Sequence, residues 1–199
     1  MTAATEIAQQ LHSISNLEEL RAVCQRVFLP EQGEQLVFGE GPEHARLLLL
    51  GEAPGEKEAA AGRPFVGNSG RLLDKYLRES NIARENAYLT NVIKVRPPGN
   101  RTPRSSEVTE AVPILLRQIE LIRPAVIVCL GSIAVQAIVD RKAKITEIRG
   151  VWLEKEGIRV MPAYHPSAVF RDETKRELLK QDLSSVATAL AEMGTYSSG

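Results

Sequence analysis

Three short stretches concentrate the side chains that could grip a planar polar ligand. They are GEAPGEKEAAAGRPFVGNSG at 51–70, NVIKVRPPGNR at 91–101 and YHPSAVFR at 164–171. The first carries five glycines and two prolines around Glu52, Glu58 and Phe65, far more than a plain connection of about 2–6 residues in an α/β domain needs. Phe65 sits among Gly62, Pro64 and Gly67, where its ring can offer a face to another ring. Asn91 ends an apolar run, and its amide can donate and accept along one edge of a base. His165 is pinned by Pro166 and can present a donor at a fixed place. Taken singly, each has a plainer reading: a core aromatic, a turn residue, a structural histidine.

Other chemistries find no support in the spacing. GEAPGEKE lacks the Gly-Lys-Ser/Thr of a phosphate loop and the GxGxxG of a dinucleotide site. No GxSxG elbow is present for a serine hydrolase, and no His/Cys/Asp set has metal-ligand spacing. Net charge is zero, which by itself argues against a nucleic-acid partner, but distribution outweighs the sum. From 94 to 106, Lys94, Arg96, Arg101 and Arg104 stand with no acid among them. That run reads either as a solvated loop or as a phosphate-gripping one.

The elements that must position these residues follow from periodicity. Leu47–Leu50, Tyr88–Ile93 and Ala125–Leu130 are short apolar runs that read as strands buried on both faces. Val151–Leu153 and Ile158–Met161 flank EKEG as a hairpin or strand pair. Helices are expected after the Ser15-Asn16 cap until Pro30, over Ser69–Asn81 with Leu72, Leu73, Tyr76 and Leu77 on one face, and from Ser105 or Ser106 to Ile122 with a kink at Pro113. A short one follows Gly131-Ser132, and a last one spans Asp172–Met193. Apolar strands separated by helices argue for a largely parallel sheet covered on both sides. Sites in such sheets form beyond the carboxyl ends of the strands, so the three stretches are expected to converge.

The chain has 199 residues, 43% of them hydrophobic and 25% charged, which suits a single globular domain over 1–193 with a frayed tail at 194–199. No apolar run approaches the roughly 18–20 residues of a membrane span. MTAATEIAQQ has neither the basic region nor the apolar core of a signal peptide. The two cysteines, Cys24 and Cys129, suit a reducing compartment. A cytoplasmic monomer is the expectation.

In order and spacing, GEAPGEKE…GRPFVG, LTNVIKVRPPGN and YHPSAVF resemble the uracil-DNA glycosylase superfamily, most nearly family 4, from about Leu17 to Leu183. The resemblance implies an α/β three-layer sandwich with a central four-stranded parallel sheet, and an enzyme that removes uracil from DNA by hydrolysing its N-glycosidic bond. It implies that Gly51, Ala53 and Gly55 bring backbone against a flipped-out uracil, that Phe65 stacks on the ring, and that Asn91 reads the N3/O4 edge. Glu58 would crowd the 5-methyl of thymine, Glu52 would help order water, and His165 would donate to O2 as charge builds on the leaving base. Lys94, Arg96, Asn100, Arg101, Arg104 and Ser167 would hold the DNA, with Val169 as the apolar wedge filling the gap.

The chain departs from that family in two places. Ala53 stands where family 1 enzymes carry a catalytic aspartate. Family 4 holds a four-iron cluster on four cysteines, of which Cys24 alone has a counterpart here. Val27, Val95 and a position near Ala111 take the others' places, and Cys129 belongs to a strand. Too few thiolates remain for a cluster. No metal and no cofactor are therefore expected, and Val27 or Phe28 is expected to pack near Val95 and Ala111, with Cys24 a free thiol. Two other functions stay open: a glycosylase for hypoxanthine or xanthine, and a non-catalytic protein that binds uracil-containing DNA.

Overall fold

A computed structural model describes residues 11–28 and 30–195. The MTAATEIAQQ segment and residues 196–199 of the expected tail lie outside the described residues. Five strands form one sheet: β1 (Leu47–Gly51), β2 (Ala87–Asn91), β3 (Val126–Leu130), β4 (Leu153–Lys155) and β5 (Ile158–Ala163), in the order β2-β1-β3-β5-β4. Four strands run parallel, as expected. The fifth, β4, corrects the expected count by pairing antiparallel with the edge of β5. The two-residue turn between them, Glu156 and Gly157, has both residues at positive φ, the geometry that suits the twist of a tight hairpin.

Helices cover both faces: α1 (Leu17–Val27), α2 (Glu56–Ala61), α3 (Asn68–Glu79), α4 (Ser105–Ile122), α5 (Ser132–Ile138), α6 (Ile145–Ile148), α7 (Pro166–Val169) and α8 (Lys175–Thr195). Alternate strand residues point to opposite faces. Leu48, Leu50, Ile127, Cys129 and Val160 therefore pack under α1, α4 and α5, against Leu20, Ile114, Leu115 and Val135. Leu47, Leu49, Val126, Val128 and Met161 pack with Leu73 and Leu77 of α3 and with Leu179 and Leu183 of α8. Both faces being apolar explains why the strands read as unbroken apolar runs.

The local signal holds at the start of α1. Asn16 accepts from the Glu19 amide at 2.9 Å while the Glu19 carboxylate accepts from the Ser15 amide at 2.7 Å. The helix α4 runs on past Pro113, whose side chain faces solvent. The carbonyl deprived of its partner there is one that water can serve. The last helix begins at Lys175, later than expected, because the Asp172 side chain accepts from the Thr174 amide and forms a turn first.

The chain leaves β1 for β2 on one side, then returns across β1 to β3 on the other. That reversal opens a crevice at the carboxyl ends of the strands. Beyond Asn91, the chain stays tied to β1's exit, with the Val92 amide on the Gly51 carbonyl and the Ile93 amide on the Glu52 carbonyl, each at 3.0 Å. Among the described residues, no helix is long and apolar enough to cross a membrane.

Val27, Phe28 and Val95 all pack against the apolar cluster that contains Cys24 and Ala111. Both cysteines are buried free thiols. Burial pushes the Cys24 thiol up to about 11 and the Cys129 thiol further up.

Candidate active site

The three stretches converge on one cleft of about 440 Å³, lined by Glu52, Glu58, Phe65, Asn91, Asn100 and His165 among others. Its floor depends on an absent side chain. A Cβ at Gly51 would land on Asn91 Oδ1 and 2.7 Å from Phe65 Cζ, so glycine alone lets the Asn91 amide and the Phe65 ring share one wall. Ala53 and Gly55 line the cleft mouth.

Phe65 is held in the left-handed region, at φ 55°, a conformation that costs a non-glycine residue about 1–3 kcal/mol and needs support. Arg84 supplies it. Its guanidinium donates to the Pro64 carbonyl at 3.0 Å and the Phe65 carbonyl at 3.4 Å. It is itself fixed by Asp74 at 2.6 Å and Glu40 at 3.0 Å. The bare backbone of Gly70 makes room for the Phe65 carbonyl, which a Cβ there would overlap. The Phe65 and His165 rings lie with centroids 6.2 Å apart and planes 28° apart.

Asn91 is buried at the end of β2. No protein hydrogen bond to its side-chain amide is present among the described residues, so that amide is available to a ligand edge. Glu58 Oε1 accepts the Gly67 amide at 2.6 Å, tying α2 across the cleft to the start of α3. Much of the glycine-rich stretch is helical: EKEAAA forms α2, in keeping with the high helix propensity of Glu, Lys and Ala, and its last three residues open α3.

His165 caps the short α7. Its Nδ1 accepts the Ser167 amide at 3.1 Å, with Ser167 Oγ at 2.7 Å. An Nδ1 occupied in this way is unprotonated, so the neutral ring carries its proton on Nε2. Burial first, and the Arg171 cation in the same sense, together lower the histidine pKa to about 4. Ser167 thus acts within the site by orienting the imidazole. The Glu52 carboxyl is raised by burial, an effect that Arg171 opposes.

Two sequence expectations are corrected by position. Lys94, expected on phosphates, is fully buried. Its Nζ donates to Gln118 Oε1 at 2.6 Å, Thr90 Oγ1 at 2.7 Å and the Asn91 carbonyl at 2.8 Å, and burial pulls its pKa down to about 7. The lysine follows a strand whose next turn points inward, so it serves the core instead of the solvent. Val169, expected as the wedge, is 6% exposed and packed into the core, while the next residue, Phe170, is 61% exposed.

The remaining cations differ in freedom. Arg96 pairs with Glu34 at 2.6 Å and donates to Asn100 Oδ1 at 2.8 Å. Arg101 grips Glu107 with both nitrogens, at 2.6 and 2.8 Å. Arg104 is exposed at the start of α4. Phe170, Arg171 and Arg84 are contributions that sequence reasoning missed. The first two stand in the quoted YHPSAVFR stretch, whereas nothing near Arg84 in sequence marks it.

A four-thiolate cluster does not fit these residues. Of the two cysteines, Cys24 lies in α1 and Cys129 in β3, while Val95 and Ala111 are apolar parts of one packed cluster.

Residues 38–188 match the family model described as the uracil DNA glycosylase superfamily. The type-4 uracil-DNA glycosylase of Thermotoga maritima is 43% identical over 165 residues, covering 80% of this chain and 85% of the relative. Those of Archaeoglobus fulgidus and Sulfurisphaera tokodaii are 39% and 37% identical, covering 82% and 88% of this chain and 86% and 84% of theirs. With its cleft formed at the ends of β1, β2 and β5 and its sequence matched over that span, the chain belongs to the uracil-DNA glycosylase superfamily.

Proposed function

We propose that the chain is a monofunctional uracil-DNA glycosylase of the type-4 kind, which hydrolyses the N-glycosidic bond of deoxyuridine in DNA and so begins base-excision repair. The observation that carries this reading is the meeting of Asn91, Phe65 and a neutral His165 in one cleft, where a flat ring can be stacked, read along one edge and approached by a donor. A base held there must first leave the helical stack. Asn91 then donates to O4 and accepts from N3–H, a pattern that cytosine inverts. Glu58 and Gly67 close the wall near C5 and exclude a methyl.

As the C1′–N1 bond breaks, its electron pair passes to the uracil ring and charge gathers on O2. The His165 Nε2–H is aimed at that charge, and one such donor in a dry site lowers the barrier by about 3 kcal/mol. Water, ordered by Glu52, adds to C1′ from the opposite face and loses a proton to bulk water, while the uracil anion takes one up to leave as the neutral base. Arg104 and Arg171 hold phosphates, with smaller shares from Arg96, Asn100 and Arg101, whose side chains are already engaged. Phe170, not Val169, presents the apolar surface that can enter the space left by the flipped nucleotide. The protein is iron-free and colourless, the apolar packing around Ala111 standing where relatives would place thiolates.

The deciding experiment measures free base released from oligonucleotides containing uracil, hypoxanthine or xanthine. Uracil release is expected. Release of a purine alone would give the site to another deaminated base, and binding without release would make the chain a uracil-DNA-binding protein.

A further inference from the structure

Directly behind Asn91 lies a charge that the chemistry above does not use. Lys94 is fully buried, yet its hydrogen-bond partners among the described residues are all neutral and no carboxylate pairs with it there. Its three hydrogen-bond partners suit a charged amine. The Asn91 carbonyl can only accept. The Gln118 amide is oriented by donating its nitrogen to the Phe38 carbonyl and to Tyr88 Oη, each at 3.1 Å, which leaves Oε1 as an acceptor toward Nζ. Thr90 Oγ1 has the Phe38 carbonyl at 2.9 Å and Gln118 Oε1 at 3.2 Å as acceptors for its one proton, and toward either it meets Nζ as an acceptor too. Three acceptors suit the three protons of the ammonium, which burial brings into balance with the neutral amine at about pH 7. The Phe38 ring, 5.8 Å away, adds a further favourable face.

A buried ion is costly unless it is paired. This one is solvated solely by neutral dipoles, so its field is not cancelled by a counter-ion. Methionine would fill the same volume at no such cost. The strain of keeping the ion shows in the downward pull of burial on its pKa. The geometry gives the charge a direction of use: Nζ touches the Asn91 carbonyl at 2.8 Å, and the same residue's amide faces the cleft.

We infer that Lys94 is a positioning residue that fixes Asn91 through its carbonyl and whose uncompensated ammonium stabilises the negative charge growing on the departing base. This rests on the glycosylase reading. In a water-poor interior such a fixed charge acts with little screening and no reorganisation during the reaction. It adds to His165: one donor reaches the charge, and one cation lies behind the reading edge.

The test compares two leaving groups. Single-turnover release of uracil and of 5-fluorouracil from the same DNA sequence is measured for the wild type, Lys94→Met and Lys94→Gln, with thermal unfolding as the control for fold. 5-Fluorouracil is the more acidic base and needs less help to leave as an anion. The expected result is a loss of about tenfold or more on uracil and a clearly smaller loss on 5-fluorouracil, for both variants. Equal losses on the two bases would reduce Lys94 to packing and overturn the inference. Lys94→Gln retains two donors for the same acceptors, so it remains informative if Lys94→Met does not fold. Failure of both to fold would also overturn it, by making the lysine a stability element. A wild type that releases neither base would instead defeat the glycosylase reading itself.

Discussion

Adding one methyl group to the cleft floor, in Gly51→Ala, should cost far more activity than stability. The new Cβ would lie 2.7 Å from Phe65 Cζ and against Asn91 Oδ1, where carbon atoms ordinarily rest about 3.5–4.0 Å apart. Phe65 has little room to retreat, because its backbone is held by Arg84 on one side and Gly70 on the other. Asn91 is equally constrained through its carbonyl. The ring and the amide must therefore move apart by about 1 Å, and a misplacement of that size costs on the order of 100-fold in rate. Overpacking of this kind costs about 1–3 kcal/mol in stability. Single-turnover uracil release and urea unfolding on the same preparation would separate the two. A rate within about threefold of wild type would mean that the cleft floor is not where the base sits, and the assignment of Gly51, Phe65 and Asn91 to one wall would fail.

Three further outcomes follow from the site. With His165 held down to about 4 by burial and then by Arg171, the neutral donor persists at pH 5 and activity should fall only as pH drops through about 4. The linked stability has the same sign: it is fully present above the ordinary histidine value of about 6.5 and is lost between there and about 4, which an NMR titration of His165 and unfolding at graded pH would check. Phe170→Ala should slow uracil release from duplex DNA by about tenfold while sparing single strands, whereas Val169→Ala should lower stability by about 1 kcal/mol or more with duplex and single-strand rates changing alike. Glu58→Gln should loosen the wall at Gly67, where the carboxylate now takes an amide at 2.6 Å, and raise thymine release from a T:G duplex above the wild-type level.

Much of the fold is written in local patterns. Strands buried on both faces announce themselves as Leu47–Leu50 and Val126–Leu130 do, and caps such as Ser15-Asn16 mark where helices begin. The cleft was legible because Asn91 closes a strand and Phe65 and His165 lie in the segments that leave strands, and parallel topology carries strand ends to one edge. What sequence could not supply were directions and distant partners. Lys94 and Arg96 alternate in a basic run, yet one points into the core and the other to Glu34. Val169 and Phe170 are neighbours in the same stretch, and only the turn of α7 decides which is buried. Arg84 acts on Phe65 from 19 residues away in sequence, through carbonyls that no side-chain pattern reveals. Short β4 was visible only as half of a hairpin, because three residues carry too little periodicity to be more.

The central claim is that Asn91 reads the base. Asn91→Leu keeps the shape of the side chain and removes its hydrogen bonding, and the amide has no protein partner among the described residues whose loss would harm the fold. Uracil release by this variant is therefore the most direct measurement. The account predicts a loss on the order of 100-fold or more with an unchanged unfolding midpoint. A variant that folds as the wild type does and still releases uracil at near the wild-type rate would contradict it.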